Sequence, residues 1–150
     1  INIKNIIFTT IHASGGSEMI KRAVEIASAH SNLKILSVTK LTSLELDSQE
    51  IIKLTNLALS FGSHGIVCPP SIASIINNKF RNKFQNMIIV SPGIRLNNKL
   101  IENDDQKAIS TPLQAIKNGA NYIVIGRPIT QSKNKVQTIK NILFSIYNQQ

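Results

Sequence analysis

The sequence has one cysteine, no tryptophan and only 5% aromatic residues. One cysteine forms no internal disulfide, which excludes a stapled scaffold and favours a reducing compartment. So few aromatics leave no platform for base stacking. Acidic residues are scarce as well: 8 against 17 basic ones, a net charge of +9. Because the Lys and Arg are scattered, this excess reads as surface solubility and as a field suited to phosphorylated small substrates, not as a nucleic-acid surface. No apolar run approaches the ~20 residues of a membrane-spanning helix. No basic segment leads into a long apolar core with a cleavage site, so the expectation is no signal peptide and a cytoplasmic location. The chain contains no GxGxxG, no Walker loop and no CxxC.

What remains is 42% hydrophobic residues in 150, enough for one packed domain. Strand-like and helix-like segments alternate. Asn5–Ile11 is β-branched and apolar, and Gly15-Gly16 breaks it. Ser17–Ala29 has helical spacing, with Ser17 as N-cap. Lys34–Thr42 reads as a strand and Ser48–Phe61 as a helix, with Gly62 as its C-cap. His64–Cys68 is a third strand, stopped by Pro69-Pro70; Ser71–Asn78 is a short helix; Met87–Ser91 is a fourth strand. Leu96–Ser110 is a long polar loop, and such loops inside compact domains often carry function. Thr111 at N-cap and Pro112 at N1 start the next helix, which Gly119 ends. Tyr122–Ile125 is the fifth strand, and the last helix spans about Lys135–Tyr147. The pattern implies parallel strands with right-handed crossovers. An open doubly wound sheet and a stretch of a (β/α)8 barrel both fit, and 150 residues hold about five of the eight barrel units.

In either architecture ligands sit at the C-terminal strand ends. There the sequence places His12–Gly16, Thr42-Ser43, Cys68-Pro69, Pro92-Gly93-Ile94-Arg95 and Gly126-Arg127-Pro128. Glycine lets backbone N–H groups approach an anion, and arginine is a planar, permanently charged clamp. Gly126-Arg127 therefore fits either a phosphate site or a surface arginine after a tight turn, with Arg95 either aimed at the same anion or capping its own loop. Asp104 and Asp105 lie side by side in a polar loop and read as solvated. Gln106 beside them suits an amide-bearing ring. His12 reads as a hydrogen-bonded structural residue, His30 and His64 as turn residues, and Cys68 as a small buried apolar group.

Val38–Ser43, Gly65–Cys68, Ser91–Arg95, Asp105-Gln106, Thr111-Pro112 and Ile125–Thr130 occur together in the order and spacing of the orotidine 5'-phosphate decarboxylases. Over essentially the whole chain the sequence resembles this family. The resemblance implies an α/β fold of (β/α)8 TIM-barrel type, of which residues 1–150 supply about the last five β/α units as a single partial domain. It implies a cofactor-independent carboxy-lyase that converts orotidine monophosphate to UMP and works as a homodimer. It also implies substrate-binding roles for Thr42, Arg95, Gln106, Gly126 and Arg127, with Ser43 and Pro92 as secondary contacts.

One departure bears on activity. The family's chemistry rests on Asp-x-Lys-x-x-Asp after the third strand, and this sequence contains no such motif. It starts where the family's fourth strand should begin. The expectation is a chain with the phosphate and pyrimidine half of the site and no catalytic residue, inactive alone, and paired with a missing N-terminal segment or with itself. The alternatives are an inactive fragment or pseudoenzyme with a binding role, and a sugar-phosphate decarboxylase of the same barrel group. No nucleic-acid or membrane partner is expected.

Overall fold

The computed structural model describes residues 6–30, 32–40, 47–96 and 109–147. In chain order the elements are β1 (Phe8–His12), α1 (Gly16–Ser28), β2 (Lys34–Val38), α2 (Ser48–Ser60), β3 (Gly65–Val67), α3 (Pro70–Phe80), β4 (Ile88–Ser91), α4 (Pro112–Lys117), β5 (Tyr122–Ile123), α5 (Arg127–Thr130) and α6 (Lys135–Tyr147). The strands form one five-stranded sheet in the order β1-β2-β3-β4-β5. Every described pairing is parallel.

That order decides between the two architectures. A doubly wound sheet reverses direction at a switch point and places helices on both faces. A sheet that adds each strand on the same side, through crossovers of one hand, places all its helices on one face. Neighbouring helices accordingly touch in sequence: α1 with α2, α2 with α3, α3 with α4 and α4 with α6. The fold is barrel-type.

Strand alternation divides the side chains between two faces. Ile66, Cys68 and Ile89 point outward and pack with Ile20, Ile51, Ile72, Ala73, Ile76 and Phe80 of the helices into the main core. Ile66, Ile76 and Ile89 are fully buried, each stabilising the fold by roughly 1.5–3 kcal/mol. Phe8, Leu36, Val38, Val67, Val90, Tyr122 and Val124 line the opposite, concave face. The sheet curls enough for its two outer strands to meet: the Phe8 and Tyr122 rings lie 5.2 Å apart, edge to face.

Among the described residues β1 pairs only with β2, and β5 only with β4. The flank of α6 carries Val136, Leu143, Phe144 and Tyr147 exposed, and α1 carries Ile26.

Local signals account for most boundaries. Thr111 Oγ1 accepts the Gln114 N–H at 3.3 Å, with Pro112 behind it, as expected. Gly62 (φ 89°) and Gly119 (φ 98°) close their helices in the left-handed region. Two expectations need correction, the start of α1 and the end of the fifth strand, and the sequence reading offers no cap for α2. Helix α1 starts at Gly16 after a tight turn over Ala13–Gly15, so Ser17 is inside the helix and not its cap. The cap of α2 is Asp47, whose carboxylate accepts from Gln49 and Glu50 N–H groups. The fifth strand is Tyr122–Ile123, and a short α5 follows that the sequence pattern did not reveal.

His64, at the start of β3, faces the end of the sheet away from the site. Its Nδ1 accepts the Ile35 N–H at 3.2 Å. Burial, reinforced by the nearby Lys34 ammonium, holds its pKa below 6.5. Folding thus favours the neutral ring, and the unfolded chain binds more protons between the folded value and 6.5. The contribution of His64 is complete above about pH 6.5 and is lost as pH falls through its folded value. Urea midpoints measured across pH 5–8 are expected to drop on the acid side, with a shallower drop in His64→Asn.

Candidate functional site

The concave face opens at the C-terminal strand ends into a cavity of about 630 Å³. Its lower wall is apolar, from Phe8, Leu36, Val67, Val90 and Tyr122. Its rim carries Lys40, Pro92, Gly93, Arg95, Gly126 and Arg127. An apolar cleft with a few convergent polar groups is the usual form of a small-molecule site. The charged residues in its described lining are Lys40, Arg95 and Arg127, all cations, so its field favours an anion.

Arg127 opens α5, and Gly126 is the residue just before it. Gly126 is exposed, and a Cβ built on it meets nothing within 4 Å. The backbone there is open to close approach by a ligand. Arg127 is half-buried beside it.

Pro92-Gly93 turns the chain out of β4, with Gly93 at φ 77°, a conformation that L side chains rarely adopt. The turn delivers Ile94 into a parallel bridge with Ser110. Arg95 N–H donates to Ser110 O at 2.9 Å, and Ser110 N–H donates to Gly93 O at 3.2 Å. The long polar segment thus leaves and returns at one point on the cavity rim. Arg95 itself is buried, with Nη1 donating to the Ile94 carbonyl at 2.9 Å. It lines the cavity and also braces the base of that segment.

Of the residues singled out in the sequence, Pro92, Arg95, Gly126 and Arg127 converge on this cavity. Thr42, Ser43, Asp104, Asp105 and Gln106 lie outside the described residues. His12 differs from expectation: it is exposed, its backbone pairs in β1, and no hydrogen bond to the described residues holds its imidazole. Its place at the end of an outer strand leaves it at the surface.

Cys68 is buried as expected, and burial pushes its thiol up to about 12, with the Ser91 hydroxyl beside it offsetting this in part. A thiol held protonated is a poor nucleophile. Labelling of the native chain by a thiol reagent at pH 8 is expected to be slow and to become rapid only on unfolding in urea.

Sequence reasoning passed over Lys40. It lies two residues beyond Val38 on the inward-facing row of β2, and period-2 alternation was the signal that could have found it. Its Nζ meets Glu50 Oε2 of α2 at 2.6 Å. Among the described residues no group of three or more His, Cys, Asp or Glu gathers as a metal site would require.

The chain matches the orotidine 5'-phosphate decarboxylase / HUMPS family over residues 3–142. It is 40% identical over 153 aligned positions to an orotidine 5'-phosphate decarboxylase of Ehrlichia chaffeensis, covering 95% of this chain and 64% of that protein. It is 41% identical over 150 positions to the enzyme of the same name from Wigglesworthia glossinidia brevipalpis, covering 92% of this chain and 62% of that one. The crystal structure of orotidine 5'-phosphate decarboxylase from Lactobacillus acidophilus superposes with a TM-score of 0.76 at 30% identity, over 95% of this chain and 64% of that one. The chain thus spans less than two thirds of the length of these three relatives.

Proposed function

Because the chain belongs to the orotidine 5'-phosphate decarboxylase / HUMPS family, we propose that it forms the nucleotide-binding part of an orotidine 5'-phosphate decarboxylase. In this reading residues 1–150 are a single partial-barrel domain of the enzyme that converts orotidine monophosphate to UMP and carbon dioxide in pyrimidine biosynthesis. The observation that carries it is the convergence of Pro92, Arg95, Gly126 and Arg127 on one cation-rimmed cavity.

The phosphate monoester sits at Gly126-Arg127. The backbone approaches it where no side chain intervenes, and the guanidinium supplies a two-pronged, charge-assisted hydrogen bond. The apolar lower wall takes the flat ring. By resemblance, Gln106 closes over the phosphate and reaches the pyrimidine, and Thr42 and Ser43 contact the substrate. The bridge from Ile94 to Ser110 fixes both ends of the segment bearing Gln106. Closure of that segment over bound phosphate excludes water and orients the ring. Binding energy from the non-reacting phosphate is thereby used at the reacting carbon.

The sequence holds no Asp-x-Lys-x-x-Asp, so the reading assigns no catalytic residue to this chain. The carboxylates and the proton-donating lysine come from further β/α units, in the same polypeptide or in another. The outer strands β1 and β5 and the exposed apolar flanks of α1 and α6 support association with such units or with a second copy.

Titration calorimetry with UMP tests the reading. The expected result is one-site binding by the folded chain, with no release of carbon dioxide from orotidine monophosphate. Competition by a pentulose phosphate would move the assignment to a sugar-phosphate enzyme of the same barrel group. RNA binding with a steep salt dependence and no response to UMP would replace it with a basic binding module.

A further inference from the structure

We propose that Lys40 is a further ligand-binding residue, contacting the base end of a nucleotide whose phosphate is held at Gly126-Arg127; the proposal rests on the nucleotide reading above. Lys40 follows β2, whereas Gly126-Arg127 follows β5, and both line the same cavity. The sheet order places two strands between β2 and β5. They therefore enter the cavity from different strands, and its volume of about 630 Å³ has room for more than a phosphate. A nucleotide, with an anion at one end and an acceptor-rich ring at the other, can engage both.

The Lys40 side chain is poised for this. It is 19% exposed, and its ammonium is fixed by Glu50 Oε2 at 2.6 Å, on a helix whose first turn Asp47 caps. An ammonium has three donors. One goes to Glu50 and two remain for ring carbonyl or carboxylate oxygens. Glu50 is 49% exposed, so it orients the lysine from the solvent side and leaves the cavity side open. The lysine is a compact point donor with no acceptor, which suits a uracil-type carbonyl edge.

The experiment compares UMP and inorganic phosphate as ligands of the wild-type chain, Lys40→Met, Glu50→Gln and Arg127→Ala. Lys40→Met keeps the apolar stem and removes the donors. The expected result is about tenfold weaker UMP binding in Lys40→Met, with phosphate binding unchanged. Arg127→Ala is expected to weaken both ligands. Glu50→Gln breaks the ion pair and keeps the lysine, and its UMP affinity is expected within about threefold of wild type. Unchanged UMP affinity in Lys40→Met, alongside a loss in Arg127→Ala, would overturn the role of Lys40 and leave the nucleotide reading standing. So would an equal loss in Glu50→Gln, because Lys40 would then act only through its pairing. A wild-type chain that binds neither ligand overturns both.

Discussion

Arg127→Ala is expected to weaken UMP binding by about two orders of magnitude. A hydrogen bond to a charged group contributes roughly 1.5–3 kcal/mol net, and a two-pronged guanidinium–phosphate contact lies at the upper end. Converted at ~1.4 kcal/mol per decade, that is about a hundredfold in the dissociation constant. Arg127→Lys is expected to recover part of the loss, since it restores the charge but not the planar fork. Arg127 opens a four-residue helix at the rim and does not belong to the main core, so the Ala variant is expected to stay folded with a cooperative urea transition. Calorimetry for affinity and urea unfolding for stability separate the two effects. Wild-type affinity in Arg127→Ala would remove Gly126-Arg127 as the phosphate site.

Gly65→Ala is expected to cost far more stability than Gly126→Ala. Gly65 pairs with Leu36 on β2 and with Ile88 on β4. A Cβ at Gly65 would fall 2.7 Å from the Ile88 Cβ and 2.8 Å from its carbonyl carbon, with the Ile88 oxygen nearer still. The obstruction is largely backbone, so a rotamer change does not relieve it. Strand β3 is three residues long and joins the two halves of the sheet. Displacing it opens the core on one side and the cavity wall on the other. The expected cost is about 3 kcal/mol, at the upper end for overpacking. With a urea m-value near 1.5 kcal/mol/M, the midpoint falls by about 2 M. Gly126→Ala is the matched control: nothing lies within 4 Å of its added Cβ, so its midpoint is expected to stay near wild type. Equal midpoints for the two variants would show that the close approach of β3 and β4 does not constrain the fold.

The elements legible in the sequence are those set by neighbours along the chain. Thr111-Pro112 announces α4 because a side-chain oxygen three residues before an orphan N–H is a local arrangement. Gly62 and Gly119 announce helix ends because only a residue without a Cβ adopts their φ cheaply. Ser17 misled because Ala13-Ser14-Gly15 wind into a tight turn that starts the helix at Gly16. The short α5 was missed because Gly126-Arg127-Pro128-Ile129-Thr130 has too few residues for any helical period to emerge.

The sequence by itself determined the alternation of strand and helix, the burial of Cys68, and the rim residues Pro92, Arg95, Gly126 and Arg127. Each follows from residue type and from position just after an apolar run. The tertiary structure decided that the strands stack in sequential order and curl until Phe8 meets Tyr122. It decided that Leu96 and Ser110 bound a segment pinned at one point of the rim. It also decided that Lys40, locked to Glu50, faces the same cavity as Arg127 from across the sheet. The physical reason is distance along the chain. Strand order and curvature arise from backbone pairing and packing between segments tens of residues apart, and no local pattern of side chains encodes which segments meet.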